Sequence, residues 1–254
     1  MDEKDFIYGK NNVLEMLKSG SRKVNKITLL KTGRFDKKID EIVKAAKEKS
    51  IPFSFTGKEA FLKFSEVSHQ GVVAMISPVE YVELEDFLKK EKDGFKRVVV
   101  LDGVEDPHNV GSIIRTAVCA GFDAVIIPKH RNALVNATVE KSSAGAVNKI
   151  DIIGVGSLQN TYTALKDNDF WIIASDIRAA DNYYDIDYTG MNFAIVMGSE
   201  NKGISRTSVI NSDFRALIPI EGEFDSLNVA NAASIIIYEA VRQNLKGVKA
   251  VETN

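Results

Sequence analysis

The sequence predicts an α/β protein in two parts, a small α/β module at the start and a larger domain built on a parallel sheet. Three observations carry this prediction. From Arg97 onward, strand-like and helix-like stretches alternate, as βαβ units do. Stretches such as Val98-Val99-Val100-Leu101 and Phe193-Ala194-Ile195-Val196-Met197 are apolar at every position. Such runs suit strands covered on both faces. The charge also changes sign along the chain: residues 1–78 carry 15 Lys/Arg against 10 Asp/Glu, whereas residues 79–254 carry 18 against 25. A basic first module joined to an acidic second one suggests that the first holds a polyanion.

The 254 residues, 44% apolar and 27% charged, suffice for one large or two medium domains, each with its own core. The expected division is a first domain at 1–78, a linker at 79–95 and a second domain at 96–254. The single cysteine, Cys119, excludes an internal disulfide and a cysteine-based zinc cage, and its helical setting suggests a small core residue. No run of eighteen apolar residues exists, and Met1-Asp2-Glu3-Lys4-Asp5 is too charged for a secretion signal. A cytoplasmic protein without membrane contact is expected.

In the first part, Phe6 to Asn12 leads into a short helix, Val13 to Lys18, ending at Gly20. Lys26–Leu30 reads as a strand, and Lys37 to Lys49 as a helix with Ile39, Ile42, Val43 and Ala46 inward. Pro52–Phe55 reads as a second strand, Lys58–Phe64 as a helix, and Gly71–Ile76 as the closing strand, with Pro78 at its edge. Tyr81 to Gly94 reads as a linking helix whose end, Lys89 to Asp93, is solvated. The second part has strands at Arg97–Asp102, Ala124–Ile127, Asn148–Ile153, Phe170–Ser175, Phe193–Met197 and Phe214–Ile218. Its helices are Val110–Ala120, Leu158–Leu165, Thr207–Asn211 and Leu227–Asn244.

Three strand ends carry unusual polar residues. After Asp102, Asp106-Pro107-His108-Asn109 opens a helix for which Asn109 suits the N-cap, placing Arg115 near the positive end of the helix dipole. A cation there needs a nearby anion; pairing with Glu105 or Asp106 is the plain alternative. After Met197, Gly198 to Ser205 nearly spells a phosphate-binding loop, but Ile204 stands where its lysine belongs. Gly154-Val155-Gly156 likewise lacks the third glycine of a dinucleotide fingerprint. Gly198 and Gly203 therefore imply backbone that turns sharply or approaches a ligand, with Glu200 free to accept hydrogen bonds. After Ile218, Pro219 ends the strand, a polar loop follows, and Ser226 is the plausible N-cap of a helix on which Leu227, Ala230, Ser234, Ile237 and Val241 recur. Asn109, Arg115, Glu200, Ser226 and Asn228 thus collect at the carboxyl ends of parallel strands, where such sheets bind ligands. The histidines, His69, His108 and His130, are too scattered for a triad, and no metal site is expected.

These segments resemble the motifs of the SpoU, or TrmH-type, branch of the SPOUT RNA methyltransferases. The likeness rests on Asp106-Pro107-His108-Asn109-Val110-Gly111 with Arg115, on Met197-Gly198-Ser199-Glu200 with Gly203, and on Ile218-Pro219-Ile220 with Ser226-Leu227-Asn228-Val229. In the first part, Tyr8-Gly9-Lys10-Asn11 with Val13 and Leu14, and His69-Gln70-Gly71-Val72, resemble the substrate-binding domain of ribosomal RNA members. Glu221 to Asp225 form the loop that tolerates insertion, and Ala230-Asn231 departs from the usual small or apolar pair. The resemblance implies a SPOUT domain with a C-terminal trefoil knot behind an RNA-binding module. It further implies methyl transfer from S-adenosylmethionine to a ribose 2′-hydroxyl of RNA, a guanosine in 23S ribosomal RNA above all, by a homodimer. By matching position, Met197, Gly198, Gly203, Ile218, Ile220 and Leu227 would hold the cosubstrate. Asn109, Arg115, Glu200, Ser226 and Asn228 would line the reacting end. A transfer RNA methyltransferase, a resistance-type methyltransferase and a non-catalytic RNA-binding factor of the same fold are the alternatives.

Overall fold

The computed structural model describes residues 6–20, 22–31, 36–65, 67–77, 79–130, 132–133 and 135–245; the charged start Met1–Asp5 and Pro78 lie outside them. The chain divides into two compact units, Met1–Val79 and Glu80–Asn254.

The first unit runs β1 (Phe6–Tyr8), α1 (Lys10–Ser19), β2 (Val24–Leu30), α2 (Lys37–Glu48), β3 (Phe53–Thr56) and β4 (Val72–Ile76). Its sheet has the order β1-β4-β2-β3, with β2 and β3 parallel and the other pairs antiparallel. Val13 and Leu17 of α1, Ile42 and Ala46 of α2, and Ile27, Leu29, Val72 and Ala74 of the sheet form its core. Asp36 caps α2 by accepting hydrogen bonds from the Lys38 and Ile39 backbone N–H groups, and its carboxylate also holds Lys10 Nζ at 2.5 Å. That hydrogen bond from Lys10 is the main reason the Asp36 carboxyl titrates below its ordinary value. The expected helix at Lys58–Phe64 is instead a 3₁₀ helix.

The second unit contains α3 (Leu84–Lys89), β5 (Arg97–Asp102), α4 (Pro107–Cys119), β6 (Ala124–Pro128), α5 (Ala137–Ser142), β7 (Asp151–Val155), α6 (Leu158–Lys166), β8 (Phe170–Ser175), β9 (Asp181–Asn182), β10 (Asn192–Gly198), α7 (Arg206–Asn211), β11 (Phe214–Leu217) and α8 (Val229–Asn244). Its sheet, ordered β7-β6-β5-β10-β8-β11-β9, is parallel throughout. All strand ends that carry the motifs therefore meet at one edge. On one face, Leu84 and Phe87 of α3 and Tyr162 and Leu165 of α6 pack against Val98, Val100, Ala174 and Val196. The segment expected to be a linker thus contributes to this core, and Val82 makes a parallel bridge to Ile153. On the other face α4 packs against α8, and α5 comes close to α4 because Gly111 has no side chain. A Cβ on Gly111 would stand 2.8 Å from the Ser143 nitrogen.

Several boundaries differ from expectation, each for a local reason. α4 begins at Pro107 with Asp106, not Asn109, as its N-cap, because the Asp106 carboxylate accepts from the His108 N–H at 2.9 Å and proline suits the first helical turn. Arg115 consequently lies in the third turn of α4, away from the positive end of the dipole. Cys119 is exposed rather than core. The buried stripe of α4 is Val110, Ile113, Ile114 and Ala117, and Cys119 falls on the opposite stripe with Ser112 and Arg115. In α8 the N-cap is Asn228 rather than Ser226. The inward face of α8 is Val229, Ala230, Ala233, Ile236, Ile237 and Ala240, so Leu227 precedes the helix and is 40% exposed. The strand expected at Asn148–Ile153 starts at Asp151, because residues Ala146–Lys149 form a 3₁₀ turn in which Asn148 Nδ2 donates to Glu140 Oε1. Helix α5 and the two-residue edge strand β9 carry no periodic pattern in the sequence long enough to reveal them.

Candidate active site

The parallel register sets Gly198, the last residue of β10, opposite Asp102, the last residue of β5. Beyond Gly198 the chain reverses at once: the Gly203 N–H donates to the Ser199 carbonyl at 2.8 Å, and the Ser199 N–H donates to the Gly203 carbonyl at 3.0 Å. This turn lies so close to Gly198 that an added Cβ would meet the Gly203 carbonyl carbon and the Ile204 nitrogen at 2.4 Å. Glycine at 198 is therefore imposed by backbone packing.

Asp102 secures the far side of the turn from inside the protein. Its carboxylate, 8% exposed, accepts from the Ser205 N–H at 2.6 Å and from the Ser208 hydroxyl at 2.5 Å. Ser208 also meets the Tyr162 hydroxyl at 2.7 Å, and Ser205 caps α7. Burial pushes the Tyr162 phenol above its ordinary value, the Ser208 hydrogen bond partly offsetting this. Replacing Asp102 with alanine removes the acceptor for the buried Ser208 hydroxyl and the partly buried Ser205 N–H and is expected to cost about 1–3 kcal/mol in urea unfolding. Asp102→Asn, which keeps one carbonyl oxygen in place, is expected to cost less.

Between the ends of β8, β10 and β11 and the start of α8 lies a cavity of about 350 Å³. It is lined by Met197, Gly198, Gly203, Ile218, Ile220 and Leu227, the residues expected to hold a cosubstrate. Glu200 and Ser226, two of the five residues expected at the reacting end, line it as well. Asn109 and Asn228 reach the same place through hydrogen bonds. Asn109 Nδ2 donates to Glu200 Oε1, Asn228 Nδ2 donates to Asn109 Oδ1 at 3.1 Å, and Asn228 Oδ1 accepts from the Ala230 and Asn231 N–H groups. This relay of side chains links the start of α4, the loop after β10 and the start of α8. The sequence separation of 119 between Asn109 and Asn228 shows how far apart the linked segments are.

Arg115 is not among the cavity residues. It is exposed on α4, six positions beyond Asn109, so about 120° of helix rotation separates the two side chains. It has no hydrogen-bond or ion-pair partner among the described residues. A turn of helix at its side is fixed to α8 by the Thr116 and Ser234 hydroxyls, 3.2 Å apart.

The cavity also takes in residues that the sequence did not single out. Asp176, just past the end of β8, lines it with its carboxylate buried, accepting from the Arg178 N–H at 3.0 Å and from Arg178 Nε at 3.2 Å. Arg178 and Lys202 line the cavity too. Ser175-Asp176-Ile177-Arg178 follows a parallel strand directly, and that position alone could have marked it as a ligand-facing loop. No group of three or more histidine, cysteine, aspartate or glutamate side chains suited to a metal ion occurs among the described residues. None of the described helices is long and apolar enough to cross a membrane.

Comparison with known proteins agrees with this geometry. Residues 96–238 match the SpoU rRNA Methylase family, and residues 6–82 match the RNA 2′-O ribose methyltransferase substrate-binding family. A Staphylococcus aureus protein named as a TrmH family tRNA/rRNA methyltransferase is 41% identical over 243 residues, covering 95% of this chain and 97% of its own. Among solved structures, an AdoMet-bound rRNA methyltransferase from Sinorhizobium meliloti superposes with a TM-score of 0.76 at 20% identity, over 94% of this chain and 87% of its own. The A. aeolicus TrmH/SpoU tRNA modifying enzyme superposes with a TM-score of 0.55 at 29% identity, over 64% of this chain and 81% of its own. The family match spans more than half of the chain and contains every residue of the cavity, and the chain belongs to the SpoU/TrmH family of RNA methyltransferases.

Proposed function

We propose that this protein transfers a methyl group from S-adenosylmethionine to a ribose 2′-hydroxyl in RNA, and that its target is a guanosine of 23S ribosomal RNA. The observation that carries the proposal is the cavity at the sheet edge, with Glu200 on its wall joined by hydrogen bonds through Asn109 to Asn228. Its volume falls at the small end of the roughly 300–1,000 Å³ usual for ligand pockets. Its chemistry suits the cosubstrate. Met197, Ile218, Leu227 and Val229 offer apolar contact for an adenine, while Asp176, Glu200 and Asp225 place carboxylates around a cationic sulfonium. When bound, S-adenosylmethionine supplies a methyl already joined to a good leaving group.

What the protein must add is position and charge. Ser226 at the cavity wall and Asn228 at the start of α8 are placed to fix the ribose. Arg115 carries a permanent charge, which suits gripping the phosphate next to the target sugar and does not suit accepting a proton. The ribosomal substrate is favoured because an rRNA methyltransferase aligns with 94% of this chain, whereas the tRNA enzyme aligns with 64%. We further infer, from the family resemblance, that the protein works as a homodimer in the cytoplasm. We also infer that the strand ends after Met197 and Ile218 form the trefoil knot of this family. Mapping ribose methylation across total RNA from cells with and without the protein tests the activity. Loss of one methylated 23S guanosine is the expected result; an unchanged map overturns the proposal.

A further inference from the structure

Phe224 is 84% exposed, the highest value among the large apolar side chains that face solvent in the described residues. A phenylalanine left this far in water gains nothing from folding, so its place in the molecule matters. It sits on the 218–228 loop that joins β11 to α8, and its neighbours on both sides, Ile220 before it and Asp225, Ser226 and Leu227 after it, line the cavity. Ile220 and Leu227 are themselves 37% and 40% exposed, so the loop gives the cavity an apolar rim.

The charge on the same loop narrows what can bind. Glu221, Glu223 and Asp225 are all exposed, and residues 218–228 contain no lysine or arginine. Phosphates are repelled from such a surface, whereas the flat face of a nucleobase is uncharged, and the carboxylates beside it can accept from exocyclic amino groups. The cations that could hold the backbone lie on other elements: Arg178 and Lys202 on the cavity and Arg115 on α4. Proteins that handle unpaired RNA commonly stack its bases on exposed aromatic rings in this way.

We propose that Phe224 is a substrate-positioning residue, a platform on which the base of the target nucleotide stacks while its ribose enters the cavity. The inference rests on the RNA methyltransferase reading above and adds a requirement to it: the target base must be unpaired when it is methylated.

The test uses the full-length protein, labelled S-adenosylmethionine and total RNA from cells lacking the protein, with initial rates measured against RNA concentration. Phe224→Ala is expected to raise KM for RNA by roughly 5- to 100-fold, the loss of one stacked base, with kcat changed less than twofold. Phe224→Tyr is expected to restore KM, whereas Phe224→Leu, apolar but without a ring, is expected to behave as the alanine variant does. Calorimetry is expected to give the same S-adenosylmethionine affinity for all four proteins. Equal KM values for the unaltered protein and the Phe224→Ala variant, rescue by leucine, or weaker cosubstrate binding in the alanine variant would each overturn the stacking role. If the unaltered protein itself transfers no methyl group to that RNA, the methyltransferase reading fails, and the stacking role with it.

Discussion

Replacing Gly198 with alanine is expected to disable the protein more thoroughly than any other one-methyl change near the cavity. The new Cβ would lie 2.4 Å from two backbone atoms, the Gly203 carbonyl carbon and the Ile204 nitrogen, and no side-chain rotation relieves that overlap. The loop at residues 199–204 must move instead. It is held by its own two backbone hydrogen bonds and, through Ser205, by Asp102. Overpacking of this kind costs about 1–3 kcal/mol or more in stability. Because the displaced loop supplies Ser199 to Gly203 to the cavity wall, S-adenosylmethionine affinity is expected to fall at least about tenfold, the effect of roughly 1.4 kcal/mol. Urea unfolding and calorimetry measure the two effects. Gly203→Ala is the control: its Cβ meets nothing within 4 Å, but φ is +66°, so a penalty of only about 1–2 kcal/mol is expected. If alanine proved milder at 198 than at 203, the packing argument would be wrong.

Arg115→Lys is expected to remove most turnover, about 100-fold or more, while S-adenosylmethionine binds as before. The size of the effect comes from geometry rather than charge. Both side chains are cations, but only the guanidinium presents a planar fork of donors that can engage a phosphate at two points. Cosubstrate affinity is expected to hold because Arg115 is absent from the cavity wall. Stability should hold too, since the side chain is exposed and has no polar partner among the described residues. Single-turnover methylation separates this from a binding defect. Near-normal turnover by the lysine variant would show that a point charge suffices at this position.

Much of the second unit is legible in the chain because its signals are strong and local. Continuous apolar runs at 98–101 and 193–197 form the middles of β5 and β10, and β11 stops at Leu217, two residues before Pro219, which has no N–H to give a ladder. Sequence alone misassigns the N-caps where two candidates lie within three residues. Asp106 and Asn109, or Ser226 and Asn228, are equally good cap formers, and only the backbone angles decide between them. Cys119 is misplaced because an apolar neighbourhood on a helix spans two faces, and the two positions between buried Ala117 and Cys119, about 200° of helix rotation, move a side chain from core to solvent. The cavity residues of the second and third motifs are legible because glycine and proline there have backbone reasons to exist. Asp176 and Arg178 are legible only through their position after a predicted strand, since by charge alone such a pair looks like any surface loop until the neighbouring strands are in place.

The order of strands in the second sheet also bears on how the protein is made. β10 is flanked by β5 and β8, both of which leave the ribosome before it does. Until β10 arrives, each of those apolar strands presents a bare edge to the cell, the kind of surface on which unfinished chains stick to one another. The wait is long for β5, whose Asp102 must find Gly198 almost a hundred residues later. Synthesis of this protein should therefore be the stage at which it depends most on chaperones, and slowing the ribosome between β8 and β10 should lower its soluble yield.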